Sequence, residues 1–179
     1  MPSSSVLLDE RAVARTISRM ADEILERNDG PDRLMLVGIQ RRGVQIADRI
    51  ADVIKEREGQ DVPRGALDIT LYRDDLQTVG PRPVVGQTHL PGALEDKVVV
   101  IVDDVLFTGR TIRAGLDAIT ELGRPRAIQL AVLVDRGHRQ LPIRPDYVGK
   151  NLPTSLTERI SVRLAEVDGE DGVLLEESA

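Results

Sequence analysis

The chain of 179 residues has no cysteine, no tryptophan, two histidines (His89 and His138) and three aromatic residues, Tyr72, Phe107 and Tyr147. Each shortage closes a class of chemistry. Without thiols there are no disulfides, no thiolate or iron–sulfur sites and no cysteine nucleophile, and two histidines so far apart in sequence leave little for zinc. A cysteine-free chain suits a reducing cytosol. So few aromatics are a poor supply for stacking on single-stranded bases. Long hydrophobic runs are missing too: a membrane span needs about 18 apolar residues, and the longest run, 127–134, is strand-sized and broken by Gln129. The opening Met-Pro-Ser-Ser-Ser-Val-Leu-Leu has no basic region and its apolar stretch stops at Asp9, so no secretory leader is expected. The expectation is a soluble cytoplasmic protein with no membrane partner. At this size a chain buries roughly 70% of its unfolded surface, so one domain, 1–179, can build a core without metal or disulfide staples.

Charge is present but unevenly spread. The net charge is −6, and residues 158–179 carry seven acids against Arg159 and Arg163, a local −5 that leaves −1 for everything before it. Local basic patches therefore remain open to anionic partners.

Apolar periodicity divides the chain into alternating helices and strands. Asp9 stands where an N-cap would, and Val13, Ile17, Met20, Ala21 and Ile24 follow at helical spacing up to Asn28-Asp29-Gly30-Pro31. Residues 34–39 form a short apolar run typical of a buried strand, and Val44, Ala47, Ile50, Ala51 and Ile54 give a second helix. Residues 67–72 alternate as a half-buried strand does. Residues 74–91 are rich in proline and glycine and have no periodicity; a loop this long inside a compact domain usually serves as a lid or is disordered. Residues 98–102 and 127–134 are further buried strands, with a helix between them carrying Ile112, Leu116, Ile119 and Leu122 on one face. Continuous apolar strands alternating with helices imply an α/β fold, a mainly parallel sheet flanked by helices on both faces.

The chemistry concentrates in residues 98–111, Val-Val-Val-Ile-Val-Asp-Asp-Val-Leu-Phe-Thr-Gly-Arg-Thr. In open α/β sheets ligands bind at the carboxyl ends of strands, where Asp103 and Asp104 fall. Thr108, Gly109, Arg110 and Thr111 then open a helix, whose unpaired N–H groups and positive dipole end favour an anion. A lone acidic pair followed by Thr-Gly would read as a polar strand exit with a cap. Here the whole segment suits a ligand with a diol at one end and a phosphate at the other, such as a ribose 5-phosphate. Earlier in the chain, Gly38-Ile-Gln-Arg-Arg-Gly43 has the glycine spacing of a P-loop but lacks its Lys-Ser/Thr; a post-strand loop with Arg41 and Arg42 still suits an anion.

Residues 98–111 resemble the 5-phosphoribosyl 1-pyrophosphate (PRPP) motif of type I phosphoribosyltransferases. The blocks Asp68-Ile-Thr-Leu-Tyr-Arg-Asp-Asp75, Asp103-Asp-Val-Leu-Phe-Thr-Gly-Arg-Thr111, Gln129-Leu-Ala-Val-Leu-Val-Asp-Arg-Gly-His138 and Arg144-Pro-Asp-Tyr-Val-Gly-Lys-Asn151 resemble the PyrR family of bifunctional pyrimidine-operon regulators and uracil phosphoribosyltransferases. The likeness extends from about Val6 to Asp168. It implies a type I phosphoribosyltransferase fold with a mobile lid near 74–91 and a small hood from about 135–179. It also implies a homodimer or larger assembly, and conversion of uracil and PRPP to UMP and pyrophosphate.

On that pattern Asp103 and Asp104 hold the ribose hydroxyls, and Val105 with Thr108 to Thr111 holds the rest of the phosphoribosyl group. Gln40, Arg41 and Arg42 receive the pyrophosphate, with Arg73 and Arg82 reaching over from the lid; both of these read equally as solvated loop residues. PyrR sequences usually carry Thr where this chain has Arg41. Asp135, Arg136 and Val162 would border the base, although Asp135 reads equally as a turn residue. Mg²⁺ would ride on PRPP, with no direct side-chain ligand. A purine-type phosphoribosyltransferase, or a regulator that binds nucleotide and RNA without turnover, are the competing functions.

Arg11, Arg15 and Arg19 recur every four residues opposite the apolar stripe of the first helix, either as a solvated face or as a phosphate-contacting one. The resemblance implies UMP-dependent binding of pyrimidine operon leader messenger RNA and carries Arg19, His138, Arg139, Arg144, Lys150 and Thr154 to that role.

Overall fold

The computed structural model describes residues 3–69 and 88–177. Its centre is a five-stranded sheet built from β2 (Leu34–Ile39), β3 (Arg64–Leu67), β4 (Val98–Leu106), β5 (Ala127–Asp135) and β6 (Tyr147–Asn151), in the order β3-β2-β4-β5-β6. Every pairing in it is parallel. The expected parallel α/β architecture is therefore present.

Pleating explains why β2 and β4 are apolar at successive positions. Leu34, Leu36, Val98, Val100 and Val102 face the helices α1 (Glu10–Arg27) and α2 (Arg42–Glu58), whereas Met35, Val37, Ile39, Val99 and Ile101 face α3 (Arg110–Leu122). A strand covered on both sides has no polar face to alternate with. The predicted stripe of α1 is buried, and the Asp9 side chain caps the helix by accepting the Ala12 N–H at 2.9 Å. Gly59, at φ 68°, closes α2 in the left-handed conformation, with its N–H on the Lys55 carbonyl at 2.8 Å.

A second, antiparallel sheet joins the two ends of the chain. β1 (Ser4–Leu8), β7 (Glu158–Arg163) and β8 (Gly172–Glu177) lie in the order β1-β8-β7, and the one-turn helix α4 (Ala165–Asp168) connects β7 to β8. Leu8, Ile160, Val162, Leu164 and Val173 from this small sheet and its connection share the core of the α1 and α2 face. Periodicity did not reveal β1, β6 or β8. The strand expected at 67–72 lies instead at Arg64–Leu67; Asp68 and Ile69 follow it outside any strand, and 70–72 lie outside the described residues.

The acidic tail is structural. Arg49 of α2 binds Glu166 and Asp171, Arg42 binds Asp168, and Arg163 within the tail binds Glu170, so four of its seven acids are paired with arginines.

Candidate active site

The carboxyl ends of β2, β3 and β4 open on one cavity of about 280 Å³. Its wall comes from four segments: Ile39 to Arg42 after β2, Asp68 and Ile69 after β3, Asp103 to Val105 at the end of β4, and Thr111 in the first turn of α3.

Close backbone packing shapes the first segment. A Cβ on Gly38 would overlap the Gly43 carbonyl and Val44 Cα, and one on Gly43 would strike the Val102 carbonyl and stand 3.2 Å from Asp103 Cα. The loop thus folds tightly against the end of β4, which only glycine allows. Its Gln40–Arg41 peptide is cis, and the Gln40 N–H donates to the Leu67 carbonyl at 2.9 Å, tying it to β3. Arg41 is exposed and has no polar partner among the described residues. Arg42 donates Nε and Nη2 to the two carboxylate oxygens of Asp168 at 3.1 and 2.7 Å. That pairing outweighs burial and holds the guanidinium more firmly charged.

The acidic pair is asymmetric. Asp103 is 7% exposed, and its Oδ1 accepts the Asp104 N–H at 2.8 Å, while Asp104 Oδ1 accepts the Val105 N–H at 2.7 Å. Burial, and then the neighbouring Asp104 charge, push the Asp103 carboxyl well above the usual carboxylate range. Two adjacent acids in different environments offer acceptors to a diol without both having to be fully ionised.

The turn before α3 is braced from behind. Gly109 caps the helix at φ 96° with no side-chain cap of its own, and a helix start carries N–H groups that lack intrahelical carbonyl partners. The Thr108 hydroxyl accepts the Arg110 N–H at 3.3 Å; Gln140 N–H reaches the Thr108 carbonyl at 2.9 Å, and Arg110 Nε donates to Gln140 Oε1 at 2.8 Å. Thr111 enters the cavity wall, whereas Thr108, Gly109 and Arg110 form the turn leading to it.

Asp135 and Arg136 stand at the carboxyl end of β5, and Val162 lies in β7. Asp135 accepts the Gly137 N–H at 3.0 Å and Arg139 Nη2 at 2.7 Å, so its carboxylate holds the following turn. Arg136 is 8% exposed and donates to the Thr154 hydroxyl and the Ser155 and Glu158 carbonyls. Val162 puts its side chain into the core. None of the three lines the cavity. Arg73 and Arg82 lie outside the described residues, as does the expected lid apart from 88–91. The Asp68 N–H donates to the Thr88 hydroxyl at 3.2 Å, so the chain leaves and re-enters the described structure at the cavity rim.

The residues carried over for RNA also separate. Arg19 binds Glu23 and the Gly149 carbonyl, His138 contacts the Thr154 carbonyl, and the Thr154 hydroxyl accepts from Arg136. Arg139 donates to the Asp135 carboxylate and to the Ile143 and Phe107 carbonyls. Arg144 and Lys150 are exposed with no polar partner among the described residues, as are Arg11 and Arg15 on α1. Sequence reasoning missed Asp68, Ile69 and Asp168 at the site. Asp68 lies in a segment to which the family resemblance gives no role, and Asp168 carries no local signal distinguishing it from its acidic neighbours.

Known proteins share this fold. The model of the phosphoribosyl transferase domain matches residues 3–165. A hypoxanthine phosphoribosyltransferase from Trypanosoma cruzi, a point mutant solved as a ternary substrates complex, shares the fold with TM-score 0.74 at 20% identity, covering 95% of this chain and 94% of that one. One from Staphylococcus aureus gives 0.68 at 17%, covering 97% and 91%. The architecture is that of a phosphoribosyltransferase.

Among curated relatives, the bifunctional protein PyrR of Pelotomaculum thermopropionicum is 60% identical over 173 residues, 97% of this chain and 96% of its own. That of Clostridioides difficile is 59% identical over 177 residues, 99% and 100%, and that of Deinococcus radiodurans 54% over 174, 97% and 94%. The chain belongs to the PyrR family of phosphoribosyl transferase domain proteins.

Proposed function

We propose that the cavity transfers the phosphoribosyl group of PRPP to uracil, giving UMP and pyrophosphate, and that the same chain is a UMP-dependent RNA-binding regulator of pyrimidine operon expression. The observation that carries the first half is the convergence on one cavity of the Asp103–Asp104 pair, the first turn of α3 and the Arg41–Arg42 loop. A diol, a phosphate and a second anion each have a counterpart there.

In this reading Asp103 and Asp104 accept the ribose hydroxyls. The backbone N–H groups of Gly109 to Thr111 and the hydroxyls of Thr108 and Thr111 take the 5-phosphate. Gln40, Arg41 and Arg42 face the pyrophosphate. A uracil ring nitrogen attacks C1 as the C1–O bond to pyrophosphate breaks, through an oxocarbenium-like transition state. Positive charge grows on the sugar beside two acids, and negative charge on the leaving group beside two arginines, so positioning and electrostatics supply the rate. Base recognition is assigned to Asp135, Arg136 and the β7 region around Val162, as the family resemblance implies.

Among the described residues no cluster of three or more His, Cys, Asp or Glu could hold a metal. The cavity's donors are carboxylate oxygens, the ligand type that suits a Mg²⁺ ion already held by substrate phosphates. Mg²⁺ would arrive on PRPP, with Asp103 and Asp104 among the carboxylates of the cavity available to it, and would supply neutralisation of the departing pyrophosphate.

RNA binding is supported by the PyrR relationship and by four exposed cations without partners among the described residues, Arg11, Arg15, Arg144 and Lys150. The hydrogen bond from Arg19 to Gly149 brings the exposed side of α1 beside the end of β6 that carries Lys150. A cytoplasmic homodimer or larger homo-oligomer is part of the same proposal.

The test is incubation of labelled uracil with PRPP and Mg²⁺, run beside hypoxanthine and guanine. UMP formed only when PRPP is present supports the reading. Conversion of a purine base and not uracil would replace it with the purine-type enzyme, and UMP binding with no turnover of any base would replace it with the pure regulator.

A further inference from the structure

Arg42 occupies a position that the proposed reaction alone does not explain. Two arginines seven residues apart on α2, Arg42 and Arg49, both face the β7–β8 connection, and both bind its acids. Arg49 meets two carboxylates, Glu166 and Asp171, and lies away from the cavity; it already fastens the connection to α2. Arg42 meets one carboxylate, and it alone of the pair is in the cavity wall.

Its pairing is a planar fork. Nε and Nη2 each donate to a separate oxygen of Asp168, which commits two of the five guanidinium N–H groups and leaves three without a partner among the described residues. Asp168 is itself fixed, because its Oδ2 also accepts the Leu164 N–H at 2.9 Å. The acid is thus anchored by its own turn and grips the side of the guanidinium.

We propose that Asp168 is a positioning residue: it holds the Arg42 guanidinium at the cavity rim, so that the three uncommitted N–H groups are ready for the terminal diphosphate of the substrate. This rests on the functional reading above. An arginine free in solution samples many rotamers, and ordering it before the ligand arrives removes that cost from binding. Because Asp168 belongs to the connection of the antiparallel sheet and Arg42 opens α2 at the cavity wall, the contact also joins the antiparallel sheet to the site.

The test compares Asp168→Asn with Glu166→Gln and the unaltered protein. Asparagine keeps an oxygen for Leu164 but loses the charge and one arm of the fork. The expected result for Asp168→Asn is a KM for PRPP and a Kd for inorganic pyrophosphate each raised about tenfold. Its UMP affinity should be unchanged, since UMP carries no pyrophosphate. Glu166→Gln is expected to lower Tm while leaving pyrophosphate binding alone. Unchanged PRPP and pyrophosphate constants in Asp168→Asn overturn the proposal, as does weakening of UMP and pyrophosphate in the same proportion, which would mark general loosening. Absence of both PRPP turnover and pyrophosphate binding in the unaltered protein would remove the functional reading itself, a different failure from normal turnover that Asp168→Asn leaves untouched.

Discussion

The Arg136 guanidinium lies 4.1 Å from the centroid of the Phe107 ring, over its face. Phe107 is the residue between the end of β4 and the Thr108 turn, and Arg136 directly follows β5, so the contact joins the ends of two neighbouring strands. Burial lowers the Arg136 pKa, and the group is retained in that setting by the Thr154 hydroxyl, two carbonyls and the aromatic face. The side chain expected to contact the base is thus engaged in holding the fold.

Replacing Arg136 by Ala is expected to destabilise the fold by about 3 kcal/mol, because the Ser155 and Glu158 carbonyls and the Thr154 hydroxyl lose a charged donor inside the protein. Arg136→Lys retains the charge but not the fork, and should recover less than half of that. Urea unfolding of the two variants checks the order. Equal stability of Arg136→Ala and the parent would show that the stack and its hydrogen bonds contribute nothing.

Asp103 gives a prediction about pH. Its carboxyl is raised, first by burial and then by Asp104, above the ordinary value of 3.8. Between that value and the raised native one, the folded protein holds a proton that the unfolded chain releases, so stability falls as pH rises through the window. Asp103→Asn has nothing to titrate. It should therefore lack this fall, which for one proton is at most about 1.4 kcal/mol per pH unit, and should melt above the parent at pH 8. In the proposed reaction the same change should slow UMP formation about a hundredfold, since one acceptor oxygen beside the growing positive charge becomes an amide donor. Melting curves at pH 5 and pH 8 and initial rates test the two halves separately, and parallel melting profiles would remove the first.

These residues also show what the sequence reveals before the fold is known. Strand, acid pair, turn and helix are contiguous from 98 to 111, so local pattern is enough to place Asp103, Asp104 and Thr111 together. The sheet is legible for the same reason: β2, β4 and β5 read as apolar runs because their central residues are covered on both faces. β1 and β8 are not, because their pairing joins Ser4 to Glu176 and no short window contains both. Asp168 looks like one more solvated acid until Arg42 is found opposite it. Arg139 looks like a surface cation, yet Asp135, Ile143 and Phe107 take its donors. Long-range pairing of charges leaves no periodic trace in a sequence.

The same distinction divides the proposed RNA face and yields its test. Arg139→Ala removes the donor that joins Asp135 to the Phe107 carbonyl, beside the Thr108 turn, so it is expected to lower Tm and to weaken PRPP use together with RNA binding. Arg144 and Lys150 have no such partners among the described residues, and the double change Arg144→Ala, Lys150→Ala should leave Tm and UMP synthesis within error of the parent. It should weaken binding of pyrimidine leader RNA and reduce the slope of log affinity against log salt by about 2, one for each RNA phosphate no longer neutralised. Filter binding from low to high salt, with and without UMP, measures that slope. An unchanged slope in the double variant would move the RNA-binding surface elsewhere on the molecule, while a lowered Tm would show that these two side chains, like Arg139, are held by the fold.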